Sequence, residues 1–197
     1  MAGDRFTRAT LLIDTANAAD PNRLVHRGEE RPKELLHAEL ASQWVRRLRP
    51  DADEALLLAA RAHHLRRWEL PRSEYPEGRP GYLRWRRVLQ QRHADAVAEI
   101  LRVVGYETET VERVQDLVRK RGLGRDADVQ AIEDALCLVF LETQLEDFAG
   151  KHPHEKGVEV LRKTLKKMSD EATLLAHGLD LAEGARELLE EALRASG

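Results

Sequence analysis

One cysteine, Cys137, stands in the whole chain, so an intramolecular disulfide and a zinc site built on thiolates are both excluded, and a reducing compartment is expected. No apolar run approaches the roughly 18 residues a membrane helix needs. The opening MAGDRFTRATLLIDTANAAD is broken by Asp14 where a signal peptide would need more hydrophobic length. Cytoplasm and no membrane are therefore the expectation. Aromatics make up only 5%, with 12 glycines and 7 prolines in 197 residues, a composition that favours helices over sheets. A large charge of either sign is also missing: the net charge of -3 argues against a general nucleic-acid coat, although a global balance can hide a local patch.

What is present is leucine, alanine, glutamate and arginine, all good helix formers. At this length the chain fits one domain with a real core, so the expected architecture is all-α: a single-domain helical bundle over 1–197 with about 7–9 helices. The spacing predicts a first helix over about 4–18, stopped before Asp20-Pro21, and then a loop to Pro32 with no strand pattern. Further helices are predicted over 33–48, 54–69 (capped by Asp51 or Asp53), 81–104, and from Thr108 towards Gly122. Asp126 can cap a sixth helix reaching Gly150, whose segment ALCLVFL (135–141) is apolar on every face and predicted to be central. A seventh runs from Pro153 to about Met168, and Ser169 and Asp180 start two short terminal ones, the last amphipathic.

Charge is unevenly spread. Between Arg61 and Arg92 nine arginines face three acids, a local excess of +6, interleaved with Trp68, Tyr75, Tyr82 and Trp85. Guanidinium groups bind phosphate or carboxylate oxygens in bidentate fashion, so the segment suits an anionic ligand. The candidate ligand-binding residues are Arg61, Arg67, Trp68, Arg72, Arg79, Tyr82 and Arg86. Charged helical faces are common without any ligand, and Arg84, Arg87 and Arg92 fit that description.

Helical periodicity turns four further groups inward. His37 shares a stripe with Leu40, Ala41 and Trp44, and His93 with Ala96, Val97 and Ile100. Asp134 shares one with Cys137, Leu138 and Leu141, while His64 stands between Ala60 and Trp68. An inward histidine alone is commonly a hydrogen-bonded core residue. A buried carboxylate with three imidazoles needs a cationic partner, and a divalent zinc, manganese or iron ion held by His37, His64, His93 and Asp134 would supply it.

The order His37, then His63-His64, then Asp134 resembles the HD superfamily of helical metal-dependent phosphohydrolases. The chain departs from it at the defining dipeptide, where His63-His64 stands in place of His-Asp. The segments DTANAADPN (14–22), AARAHHLRRWELPRSEYPEGRPGYLRWR (59–86), GYETETVERVQDLVRK (105–120), EDALCLVFLE (133–142) and LRKTLKKMS (161–169) resemble the uncharacterised bacterial and fungal family catalogued as domain of unknown function 4202. That resemblance spans nearly the whole chain and implies a pattern taking in His64, His93, Glu133 and Asp134, without requiring histidine at 37 or 63.

The function expected on these grounds is a metal-dependent phosphohydrolase, or a binder, of a small phosphorylated or nucleotide-like molecule. Arginines would hold the anion, and His64 and Asp134 would act with Glu133 in support. Two alternatives stay open: a non-catalytic RNA- or tRNA-binding module using the Arg/aromatic segment 61–92, and a di-iron oxygenase on an HD-like scaffold.

Overall fold

The computed structural model describes residues 2–195, which form nine α-helices and one two-stranded hairpin, an all-α protein. The chain divides into two compact units, residues 1–132 and 133–197. The first contains α1 (Ala2–Ala18), the hairpin strands β1 (Arg23–His26) and β2 (Glu29–Pro32), α2 (Lys33–Leu48), α3 (Glu54–Ala62), α4 (Gly78–Val103) and α5 (Thr108–Val118). In the chain, α6 (Ala127–Lys151) runs past the division, and the second unit continues with α7 (His154–Leu165), α8 (Asp170–His177) and α9 (Glu183–Arg194). Among the described residues no helix is long and apolar enough to cross a membrane.

In the first unit Ile13 of α1, Leu36 of α2, Leu56 and Leu58 of α3, Leu101 of α4 and Leu117 of α5 are fully buried, so one apolar stripe per helix closes the core. Asp53 accepts from the Leu56 amide at 2.8 Å and starts α3 as expected. In the second unit the Ser169 hydroxyl accepts from Ala172 N at 3.1 Å and starts α8. Gly157 of α7 lies so close to Leu188 of α9 that a Cβ there would sit 2.8 Å from its methyl. Cys137 is buried, as the apolar run around it implied.

Two local expectations are corrected. Residues 23–32 form an antiparallel hairpin where a loop was expected, with His26 paired to Glu29 and Arg23 to Pro32. RLVHRGEERP carries no apolar alternation; the strands follow from the turn, where Arg27 (φ 52°) and Gly28 (φ 82°) both take the left-handed conformation of a tight hairpin. The third helix, expected to reach 69, stops at Ala62. Beyond it Arg66 turns left-handed (φ 55°), and short 3₁₀ turns cover Arg67–Glu69 and Arg72–Glu74. His64 thus sits in a turn, off the helical stripe it was assigned.

The loop between α3 and α4 returns close enough to α4 that a Cβ on Gly81 would lie 1.9 Å from the Pro76 carbonyl oxygen. The clashing atom is backbone, so a side chain here must displace the loop. Gly81→Ala is expected to lower unfolding free energy by about 1–3 kcal/mol or more. Urea denaturation at wild-type midpoint would contradict this close packing.

Candidate functional site

The last turns of α1 and the chain after it hold three polar side chains that each anchor another element. Asp14 takes a bidentate bond from Arg61 of α3 at 2.6 and 2.7 Å. Asn17, fully buried, accepts from Arg66 N at 3.1 Å and so fixes the turn that carries His63 and His64. Asp20, also buried, accepts from Glu34 N at 3.0 Å, satisfying a free amide in the first turn of α2. The DTANAADPN segment is thus a scaffold that holds α2, α3 and the turn after α3 in place.

Five titratable side chains gather on that scaffold: Glu34 and His37 from α2, His63 and His64 from the turn after α3, and His93 from α4. All but His64 are buried. The His64 ring lies 6.4 Å from His37, 5.0 Å from His63 and 6.1 Å from His93, centroid to centroid. Glu34 Oε2 lies 3.2 Å from His64 Nδ1 and 3.5 Å from His37 Nδ1. Neither approach has the alignment of a hydrogen bond, and Oε2 is buried without one. His93 Nδ1 lies 2.8 Å from the Leu65 carbonyl oxygen, which can only accept, so Nδ1 carries the proton and Nε2 keeps its lone pair.

Burial dominates the electrostatics. It pushes the His93 imidazole down to about 4, with Arg67 adding to the effect and the Leu65 carbonyl opposing it. It pushes His63 well below its ordinary range, with Lys120 and the neighbouring imidazoles in the same direction. His64 is lowered by burial and then by Arg67, against the pull of Glu34, although 26% of its side chain is still exposed. Burial would raise the Glu34 carboxyl, but its imidazole neighbours outweigh that and hold it well below the carboxylate range. At neutral pH the consistent state is an ionised Glu34 beside uncharged His63, His64 and His93, with the Arg67 guanidinium 3.8 Å away as the compensating charge.

Beside this cluster lies a cavity of about 220 Å³, lined by His63, His64, Arg67, Tyr82, Trp85, Arg86, Leu89, Gln90 and His93. Trp85 is pinned by its indole N–H donating to Leu70 O at 2.9 Å. Arg67 stacks 5.1 Å over Trp85, and Arg86 lies 5.8 Å over Tyr82. No ion pair engages Arg86 among the described residues.

The structure therefore sorts the expected ligand-binding set. Arg67, Tyr82 and Arg86 line the cavity. Arg61 is committed to Asp14, and Arg72 donates to the carbonyls of Tyr75 and Pro76 at 2.7 and 2.8 Å. Arg79 is exposed, and Trp68 borders a separate recess with Leu12 and Ala16. Of the expected metal ligands, His37, His64 and His93 come together in the first unit. Glu133 and Asp134 belong to the second, where Asp134 accepts from Ser169 N at 2.9 Å and Lys167 lies 3.9 Å from Glu133. Sequence reasoning missed Glu34. The signal available was its spacing, three residues before His37 and hence on the same helical face.

Comparison with curated proteins and with solved structures finds no match. A family model described as domain of unknown function (DUF4202) matches residues 7–189. The match covers nearly the whole chain, including every residue of the cavity and of the imidazole cluster, and on that ground the protein belongs to the DUF4202 family.

Proposed function

We propose that the protein binds a small phosphorylated, nucleotide-like molecule in the cavity of its first unit and hydrolyses it, as an HD-like helical phosphohydrolase. The observation that carries this reading is the composition of the wall: two arginines and three histidines, and no acid, among the nine lining residues. Guanidinium groups held in a partly enclosed recess bind phosphate more strongly than they would on an open surface, because water screens them less. The small volume suits the phosphate-bearing end of a compact molecule better than an RNA strand, which needs an extended groove. Tyr82 and Trp85, with rings 6.0 Å apart, offer an aromatic wall for a base or sugar.

In the hydrolysis, Arg67 and Arg86 hold the phosphoryl oxygens while a water attacks phosphorus. The water's proton passes to the free Nε2 of His93 as the new P–O bond forms, the ester P–O bond breaks, and the leaving oxygen takes that proton back. A divalent ion, where bound, would lower the pKa of the attacking water.

A panel of phosphate monoesters and nucleotides, each beside its dephosphorylated counterpart, tests the reading by thermal shift and by phosphate release. A phosphorylated member at a hundredfold excess over its Kd should stabilise the fold by about 2.7 kcal/mol. Equal effects from both members of each pair, or RNA binding that falls steeply with salt in place of small-molecule binding, would sink it.

A further inference from the structure

We infer that Glu34, His37 and His64 form a site for one divalent first-row transition ion, zinc or iron(II) by its donor chemistry, beside the arginine-lined cavity. The inference stands on the geometry of these three side chains whether or not the cavity takes a phosphate. Their ligand atoms all lie within 4.8 Å of one another, the one such trio of His, Cys, Asp or Glu among the described residues. Ligand atoms about 2.0–2.1 Å from a tetrahedral ion are about 3.3–3.4 Å apart. The separations of Glu34 Oε2 from the two Nδ1 atoms, 3.2 and 3.5 Å, bracket that value.

A second observation points the same way. Glu34 is 4% exposed, and its Oε2 has no hydrogen bond although two imidazole nitrogens converge on it. An ionised oxygen buried without an aligned donor is costly. A cation placed between the three atoms removes that cost and uses the convergence that misaligned N–H groups do not.

The supports are rigid. Glu34 and His37 are three residues apart on α2, whose first turn is pinned by Asp20, and His64 rides on the turn pinned by Asn17. The donor set selects the ion. Two imidazoles disfavour magnesium and calcium, which prefer oxygen ligands, whereas two nitrogens and a carboxylate are the protein ligands of open, water-bearing zinc and iron sites. The set keeps two of the four ligands expected from sequence and adds Glu34.

Coordination through Nδ1 leaves each ring proton on Nε2. On His64 that proton faces Arg67 Nη1, 3.3 Å away, so donor meets donor and the guanidinium must turn aside. Arg67 also lines the cavity, so ion loading and anion binding are coupled through it.

The test uses tag-free, chelator-stripped full-length protein titrated with Zn²⁺ and with Co²⁺, without any phosphate ligand, by calorimetry and visible absorption. One ion per chain and cobalt d–d bands of a four- or five-coordinate site are expected. Glu34→Gln and His37→Asn, with fold checked by circular dichroism, should each weaken binding by more than the roughly 10–100-fold that a merely supporting residue gives. Because either buried variant can disturb α2, His64→Asn at the more open position provides a third measurement with the same expectation. Wild-type protein that takes up no ion, or folded variants that bind like wild type, would overturn the site. Ion binding without affinity for any phosphate ester fails the cavity reading alone, whereas ester binding by protein with no ion affinity fails this one alone.

Discussion

Arg86→Ala is expected to weaken binding of the phosphorylated ligand by about 10- to 150-fold, the loss of one charge-assisted hydrogen bond worth about 1.5–3 kcal/mol. Stability should change by no more than about 1 kcal/mol, because among the described residues the charged-group interaction lost within the protein is the stacking on Tyr82. Arg67→Ala should cost at least as much affinity, but it also removes the guanidinium 3.8 Å from the buried Glu34 carboxylate, so unfolding free energy should fall as well. Arg67→Lys should not recover wild-type affinity, since an ammonium lacks the planar fork and stacks poorly on Trp85. Calorimetric titration beside denaturation separates the two effects. Wild-type affinity in both alanine variants would remove the arginines from the site.

The second expected result concerns acid. The His93 imidazole has its pKa lowered from an ordinary 6.5 to about 4, so between those values the unfolded chain binds a proton that the folded chain refuses. Its contribution is therefore complete above about pH 7 and is lost as pH falls through the ordinary imidazole range. From pH 7 to 5 the loss from His93 alone is roughly 2 kcal/mol. His63 and His64, lowered by burial in the same direction, steepen the slope. Glu34 does not offset it: a carboxyl held below its ordinary 4.5 loses its contribution only under that value. Urea denaturation of chelator-treated protein at pH 7 and 5 should show the drop, and His93→Asn should flatten it by about 2 kcal/mol whatever the variant's absolute stability. A pH slope unchanged in that variant would show that His93 titrates alike in both states.

Local rules made most of the fold legible. Asp53 and Ser169 stand where helices begin because a short oxygen-bearing side chain satisfies free amides wherever the chain enters a helix. The predicted second helix, 33–48, coincides with Lys33–Leu48, since its period of apolar residues is unbroken. The hairpin at 23–32 and the early end of α3 were not legible. Each depends on a non-glycine residue, Arg27 or Arg66, in the left-handed conformation, and at Arg66 the partner that accepts the freed amide is Asn17, 49 residues earlier.

The site divided along the same line. Composition and spacing by themselves determined an all-α protein, a cluster of arginines interleaved with aromatics, and inward-facing histidines at 37 and 93, because these follow from which residues lie three or four apart on one helix. Only the tertiary structure decided that Arg61 and Arg72 are spent on internal partners while Arg67 and Arg86 face a cavity. It also brought Glu34 against His64, 30 residues along the chain. Helical periodicity tells a side chain which face to occupy, but which charge it meets there is set by how separate helices are clamped together, and here Asp14, Asn17 and Asp20 do that clamping.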